Sequence, residues 1–248
     1  MDTACPKTVL LTGASRGIGH ATAKRFAGAG WRVVTVARTP FPASCGFPPG
    51  KADHVVADLA DPAHFPELLE AIVSRLDGTL DALVNNAGIA PKRPDGCRLG
   101  VLDAPISAWS EVLCVNLLAA AALIRGLFAQ LRAAGSSSVV NVTSIAGRRY
   151  HPFAGTAYAC SKAALTALTR EAATELAPFG IRVNAVSPGE IATTILTPGA
   201  EEVVGPRIPM GRLGRPEEVA DVIFFLCSPE AGYLSGADLP VDGAERAS

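Results

Sequence analysis

A chain of 248 residues is the size of one large α/β domain. Its 22 Lys and Arg against 23 Asp and Glu leave a net charge of −1, and no block of basic residues marks a nucleic-acid or anionic-membrane partner. Hydrophobic residues make up 49% of the chain, enough to bury a substantial core.

The N-terminus, Met1-Asp2-Thr3-Ala4-Cys5, lacks the basic and apolar regions of a secretory signal. An apolar strand over 8–12 opens into Thr12-Gly13-Ala14-Ser15-Arg16-Gly17-Ile18-Gly19, and a helical stretch over 17–29 follows. Glycines in such a turn let the backbone approach a pyrophosphate, and the exposed N–H groups and dipole of the helix bind it. The spacing is G-x-x-x-G-x-G, not the commoner G-x-G-x-x-G. A second strand over 32–37 ends in Val36-Ala37-Arg38. From Thr39 to Lys51 come four prolines and two glycines, which cannot sustain a helix interior and read as an irregular loop. A third strand over 54–57 leads to Asp58-Leu59, and a helix over 62–76 to a fourth strand over 81–85 that runs into Asn85-Asn86-Ala87-Gly88. A long helix over 107–134 carries Asn116; a fifth strand over 137–143 ends at Ser144; a helix over 157–178 carries Tyr158 and Lys162. The sixth strand, 181–187, ends in Pro188-Gly189 with Ile191 and Thr193 beyond it, and a helix over 216–227 precedes a last strand over 237–241. This alternation implies an α/β fold with a doubly wound parallel sheet and helices on both faces, linked by right-handed crossovers. No repeat or linker divides residues 1–248, so a single domain is expected.

The longest apolar stretch, near Leu113 to Leu123, is interrupted by Asn116 and ends at Arg125, so no membrane span is expected. The six cysteines form no C-x-x-C pair, which reads as free thiols in a reducing cytoplasm. Cys160 reads as a small side chain on a packed helix. The four histidines have no metal-ligand spacing, and no catalytic metal is expected.

Tyr158 and Lys162 stand at i and i+4 and share a helix face. A free tyrosine titrates near 10 and is a poor acid or base at neutral pH. A cation beside it favours the phenolate and lowers that value. Ser144, upstream, offers a hydroxyl that can polarise a carbonyl. Asp95 and Asp103 share no helix face with Ser144 and are poorer candidates for a base.

Together, Thr12 to Gly19, Asn85-Asn86-Ala87-Gly88, Asn116, Ser144, Tyr158 with Lys162, and Pro188-Gly189 resemble the short-chain dehydrogenase/reductase family over about Thr8 to Gly243. Ile208 to Ala220 and Leu234 to Gly243 are similar to the 3-oxoacyl reductase branch, although sugar, polyol and other alcohol dehydrogenases share these segments. The resemblance implies a Rossmann-type sheet of about seven strands in the order 3-2-1-4-5-6-7. It implies that Tyr158 exchanges a proton with the substrate oxygen, that Ser144 binds that oxygen, and that Lys162 holds the nicotinamide ribose and lowers the tyrosine pKa. It gives Asn116 a water-relay role. Cofactor contacts are implied at Gly13, Ser15, Arg16, Gly17, Ile18, Gly19, Arg38, Asp58, Leu59, Asn85, Ala87, Gly88, Tyr158, Lys162, Pro188, Gly189, Ile191 and Thr193.

NAD-binding folds place an acid about 20 residues past the glycines, where it accepts from the ribose 2′-OH. Here Arg38 stands instead, and with Arg16 it suits the 2′-phosphate of NADP(H) more than NAD(H); both arginines as solvated surface charges is the other reading. The expected substrate is a small ketone or secondary alcohol, of 3-oxoacyl or of sugar and polyol type. A non-catalytic dinucleotide-binding protein is a further alternative. The basic loops around Lys92, Arg93, Arg98, Arg148, Arg149 and His151 either attract an anionic substrate or are solvated. Residues 190–212 read as a mobile lid. The apolar helices over 107–134 and 157–178 expose more than one sheet face can cover, and the resemblance implies a homotetramer, or a dimer, built through them.

Overall fold

The computed structural model describes residues 6–39, 52–193 and 207–247. The proline-rich segment over 40–51 and the centre of the expected lid, 194–206, lie outside the described residues. Seven strands form one sheet: β1 Thr8–Thr12, β2 Arg32–Ala37, β3 Ala52–Val56, β4 Ala82–Asn85, β5 Ser137–Val142, β6 Ile181–Pro188 and β7 Asp238–Val241. Their order is β3-β2-β1-β4-β5-β6-β7 and every pairing is parallel. The expected order is the observed one.

Strand residues alternate between two cores, as a sheet buried on both faces requires. Leu10, Val34, Leu83 and Val139 face a cluster with helices α2 (Phe65–Val73), α4 (Ala119–Gly126), α5 (Phe128–Ala133) and α6 (Thr156–Leu176). Val9, Leu11, Val33 and Val84 face the other, with α1 (Gly17–Gly28) and α7 (Pro216–Cys227). Phe26 of α1 is fully buried and stacks edge-on against Trp31 and Phe224, at ring-centroid distances of 5.0 and 5.1 Å. This aromatic knot holds α1 against the sheet and so fixes the turn that precedes it.

The stretch expected as one helix over 107–134 is not one. It begins as α3 (Ile106–Leu113), widens into a π turn over Cys114–Leu118, resumes as α4 and breaks at Leu127 before α5. By length and composition alone Ile106–Gly126, 21 residues long, would pass for a bilayer span, a test that the core helix of a folded domain also passes. Here Val112, Val115, Ala119, Leu123 and Ile124 are buried, and the last four of these belong to the sheet-face core. Among the described cysteines, Cys97 and Cys160 are exposed and Cys114 and Cys227 buried, all four as free thiols.

Candidate active site

The loops after β1, β2, β3, β4, β5 and β6, with the start of α6, enclose one cleft of about 590 Å³. Gly13, Ser15, Arg16, Gly17, Ile18 and Gly19 line it from the first loop, Arg38 from the second, and Asp58 and Leu59 from the third. Ala87 and Gly88 follow β4, Ser144 follows β5, Tyr158 and Lys162 come from α6, and Pro188, Gly189, Ile191 and Thr193 follow β6. Leu59 also belongs to the core, and Asp58 caps its own turn by accepting from Ala60 N at 3.0 Å.

Two expected residues do not line it. Asn85 is buried in the sheet, donating to Asn141 Oδ1 at 2.9 Å. Its neighbour Asn86 takes the place at the wall, donating through Nδ2 to Thr12 O and Gly13 O at 2.9 and 3.1 Å. Strand alternation sends adjacent residues to opposite sides, which the Asn85-Asn86 doublet concealed. Asn116 sits in the π turn behind the wall. Its Oδ1 accepts from Ile89 N at 2.8 Å, and its Nδ2 donates to Ile89 O and Ser161 Oγ, each at 3.0 Å.

The glycines let the loops around the cleft pack more closely than side chains would allow. Gly13 has φ +72°, and a Cβ there would meet Ala87 Cα at 2.8 Å. Gly17 has φ +56°, a backbone that only glycine adopts freely. The first residues of α1, Gly17, Ile18 and Gly19, line the cleft, and the N-terminus of a helix suits a phosphate. At the other end, a Cβ on Gly88 would meet Lys162 Nζ at 3.3 Å.

Tyr158 and Ser144 stand together in the cleft wall, close enough for the Ser144 hydroxyl to act on the phenol. Ser144 Oγ also accepts from Ala146 N at 3.2 Å. Lys162 is buried and donates from Nζ to Val142 O at 2.7 Å, with Nζ 5.7 Å from the Tyr158 ring centre. Burial lowers the Lys162 ammonium to about 8. The expected depression of Tyr158 is not found in this state. Burial pushes the phenol above its ordinary value, the Glu190 charge adds to that, and the Ser144 hydrogen bond only partly opposes it. The ammonium spends its hydrogen bond on Val142, not on the phenol.

The family model described as Enoyl-(Acyl carrier protein) reductase matches residues 13–244. The chain belongs to the short-chain dehydrogenase/reductase family. Protein FixR of Bradyrhizobium diazoefficiens is 54% identical over 99% of this chain and 89% of its own length. The 3-oxoacyl-[acyl-carrier-protein] reductase FabG of Thermotoga maritima is 37% identical over 96% of each chain. A short-chain dehydrogenase/reductase oxidoreductase of Brucella ovis, solved with partially ordered NAD, is 47% identical over 96% of this chain and 100% of that one, with a TM-score of 0.81.

Three of the loop arginines pair with acids, while Lys92 lines the cleft. Arg148 pairs with Asp238 at 2.5 Å and Arg149 with Glu245 at 2.8 Å. Arg93 pairs with Asp95 at 3.0 Å, and Arg98 donates to Thr156 Oγ1 at 3.1 Å. No collar of arginines for an anionic substrate is formed by these four. Neither Asp95 nor Asp103 lines the cleft. The lid as expected is too long at its start: Glu190 is buried, its carbonyl accepts from Gly214 N at 3.0 Å, and Ala192 N donates to Gly214 O at 2.9 Å.

The sequence reading missed a buried cluster of His151, Glu190 and Glu245. His151 Nε2 lies 2.9 Å from Glu190 Oε1 and 3.6 Å from Glu245 Oε1. Burial alone would lower the imidazole, but hydrogen bonds and charge from the two glutamates raise it to about 9. A histidine whose folded value exceeds its unfolded one stabilises the fold fully below about pH 6.5 and loses that contribution as pH rises through its folded value. The melting temperature should therefore fall between pH 7 and pH 10, and fall less in His151→Gln. Equal slopes for both proteins would contradict the pairing.

Proposed function

We propose that this chain is an NADP(H)-dependent oxidoreductase that interconverts a ketone and a secondary alcohol. The observation that carries this reading is that Ser144, Tyr158 and the buried Lys162 share one cleft with the glycine turn. Gly13, Gly17, Gly19 and Gly88 line the cleft without side chains, which fits a dinucleotide lying along it. A nicotinamide dinucleotide bound there would supply the hydride. Gly13 to Gly19 with the α1 N-terminus would hold its pyrophosphate, and Lys162 its ribose hydroxyls.

The remaining chemistry belongs to side chains. A phenol held above its ordinary pKa keeps its proton at neutral pH, which suits donation to a carbonyl oxygen in the reductive direction. The Ser144 hydroxyl, fixed by Ala146 N, binds the same oxygen as its charge grows. Asn116 positions the Ile89 backbone beside Gly88 and so keeps the Lys162 pocket in shape.

Arg38 and Arg16 are both exposed on the cleft rim. No acid stands at the end of β2 to repel a 2′-phosphate. That supports NADP(H) over NAD(H). The Brucella ovis relative, solved with NAD, favours NAD(H) as the second reading. The likeness to the Thermotoga maritima reductase supports a 3-oxoacyl-type substrate, with a sugar or polyol as the alternative.

Leu118 is 47% and Ile106 78% exposed along the α3–α4 run, and Leu239 and Val241 are half-exposed on the edge strand β7. These surfaces fit two two-fold contacts and a homotetramer.

Tyr158→Phe should lower kcat on the best ketone of a panel by about 10²–10⁴-fold and leave cofactor affinity near wild type; near-normal turnover would remove Tyr158 from the mechanism. Arg38→Asp should weaken NADPH binding in a fluorescence titration and narrow the gap to NADH, whereas unchanged NADPH affinity would detach Arg38 from the 2′-phosphate. Light scattering at micromolar concentration should give a multiple of the 25.5 kDa chain mass; the mass of one chain would end the assembly proposal.

A further inference from the structure

Beside the Ser144–Tyr158 pair, the cleft wall carries a charge cluster that proton and hydride transfer do not need. His151 and Glu190 line the same cleft as Ser144, Tyr158 and Phe153. Behind them Glu245 arrives from the C-terminal turn. The side chains of all three are 9% exposed. Arg149 reaches Glu245 Oε1 at 2.8 Å, and the backbone N–H of Glu190 donates to the Glu245 carboxylate. Packing is close enough that a Cβ on Gly189 would meet Glu245 Oε2 at 3.0 Å.

Buried charges are costly unless paired. Here two carboxylates face one guanidinium and one imidazolium, so the cluster is balanced and exerts little net pull on an ion. A metal ion would compete with partners already in place, since His151 holds Glu190 Oε1 and Arg149 holds Glu245 Oε1. What the balanced cluster still offers is hydrogen-bond acceptance. A carboxylate has about four acceptor positions, and among the described residues the Glu190 carboxylate pairs with His151 alone, at 2.9 Å through Oε1. Glu190 lines the same cleft as Ser144 and Tyr158, so a substrate held there has the carboxylate on its wall. A neutral hydroxyl satisfies such an acceptor. A thioester or a carboxylate next to the carbonyl would set acceptor against acceptor.

We propose that Glu190, fixed by His151 and Glu245, is a specificity-determining acceptor for a substrate hydroxyl adjacent to the reacting carbon, so that the preferred substrates are α-hydroxyketones and the matching vicinal diols. This rests on the ketone–alcohol reading above and decides between its two substrate classes. A site built to bond a hydroxyl discriminates strongly against an analogue that lacks it, because its own polar group is left unpaired.

The test compares reduction of 2-hydroxycyclohexanone with that of cyclohexanone, using NADPH and NADH, and reads the ratio of the two kcat/KM values. Wild type should favour the hydroxyketone by about 100-fold. Glu190→Leu should bring the ratio close to one, chiefly through a higher KM for the hydroxyketone. The isosteric Glu190→Gln, a weaker acceptor than a carboxylate, should lower it about tenfold and covers the case in which the leucine variant does not fold. A wild-type ratio near or below one, or a ratio unchanged in Glu190→Gln, overturns the hydroxyl site while leaving the oxidoreductase reading intact. Turnover of neither ketone with either cofactor, in a panel where no other ketone is reduced, overturns both.

Discussion

Every strand of this sheet runs the same way, and that constraint organises the rest. Parallel strands joined by right-handed crossovers deliver all their carboxyl ends to one edge. Six successive loops therefore open on one cleft, although the residues they carry are scattered from Gly13 to Thr193. The loop sequences supply the chemistry; the sheet supplies only the convergence. That division explains how a fold with an ordinary two-faced aliphatic core can hold a glycine turn at one end of the cleft and a tyrosine and a buried lysine at the other.

Close packing of small residues makes the arrangement rigid where it matters. Gly88 brings backbone against the Lys162 ammonium and the Asn116 carbonyl oxygen, and Gly147 packs so tightly on α6 that a Cβ would meet Ala163 N at 2.7 Å. The turn after Ser144 is thus packed directly on α6, the helix that carries Tyr158. The Thr12 hydroxyl ties the first and fourth loops by accepting from Asn86 N and Ala87 N at 3.1 and 3.0 Å. Polar groups fixed in place before a ligand arrives are the arrangement from which catalytic sites gain rate.

The sheet order, the glycine turn and the Ser144, Tyr158 and Lys162 set were legible because each is written locally, as periodicity or as a short motif. Three features were not. The π turn at Asn116 adds no residue that composition marks out; it follows from packing of the helix against Ile89 and Ser161. The side to which Asn85 turns depends on strand register, which a doublet of asparagines cannot reveal. The His151, Glu190 and Glu245 cluster joins residues from three distant segments, each of which alone looks like a surface charge. The same holds for Arg148 and Arg149, whose partners Asp238 and Glu245 lie far along the chain. Long-range polar pairing is the part of a site that one sequence hides best.

The central claim is that the glycine-lined cleft binds a nicotinamide dinucleotide in reach of Tyr158. Crystals grown with NADPH test it directly. The account predicts density running from the Gly13–Gly19 turn to Lys162, with the 2′-phosphate against Arg38 and the nicotinamide beside Tyr158. An empty cleft at saturating NADPH and NADH, or a dinucleotide bound elsewhere, would contradict it.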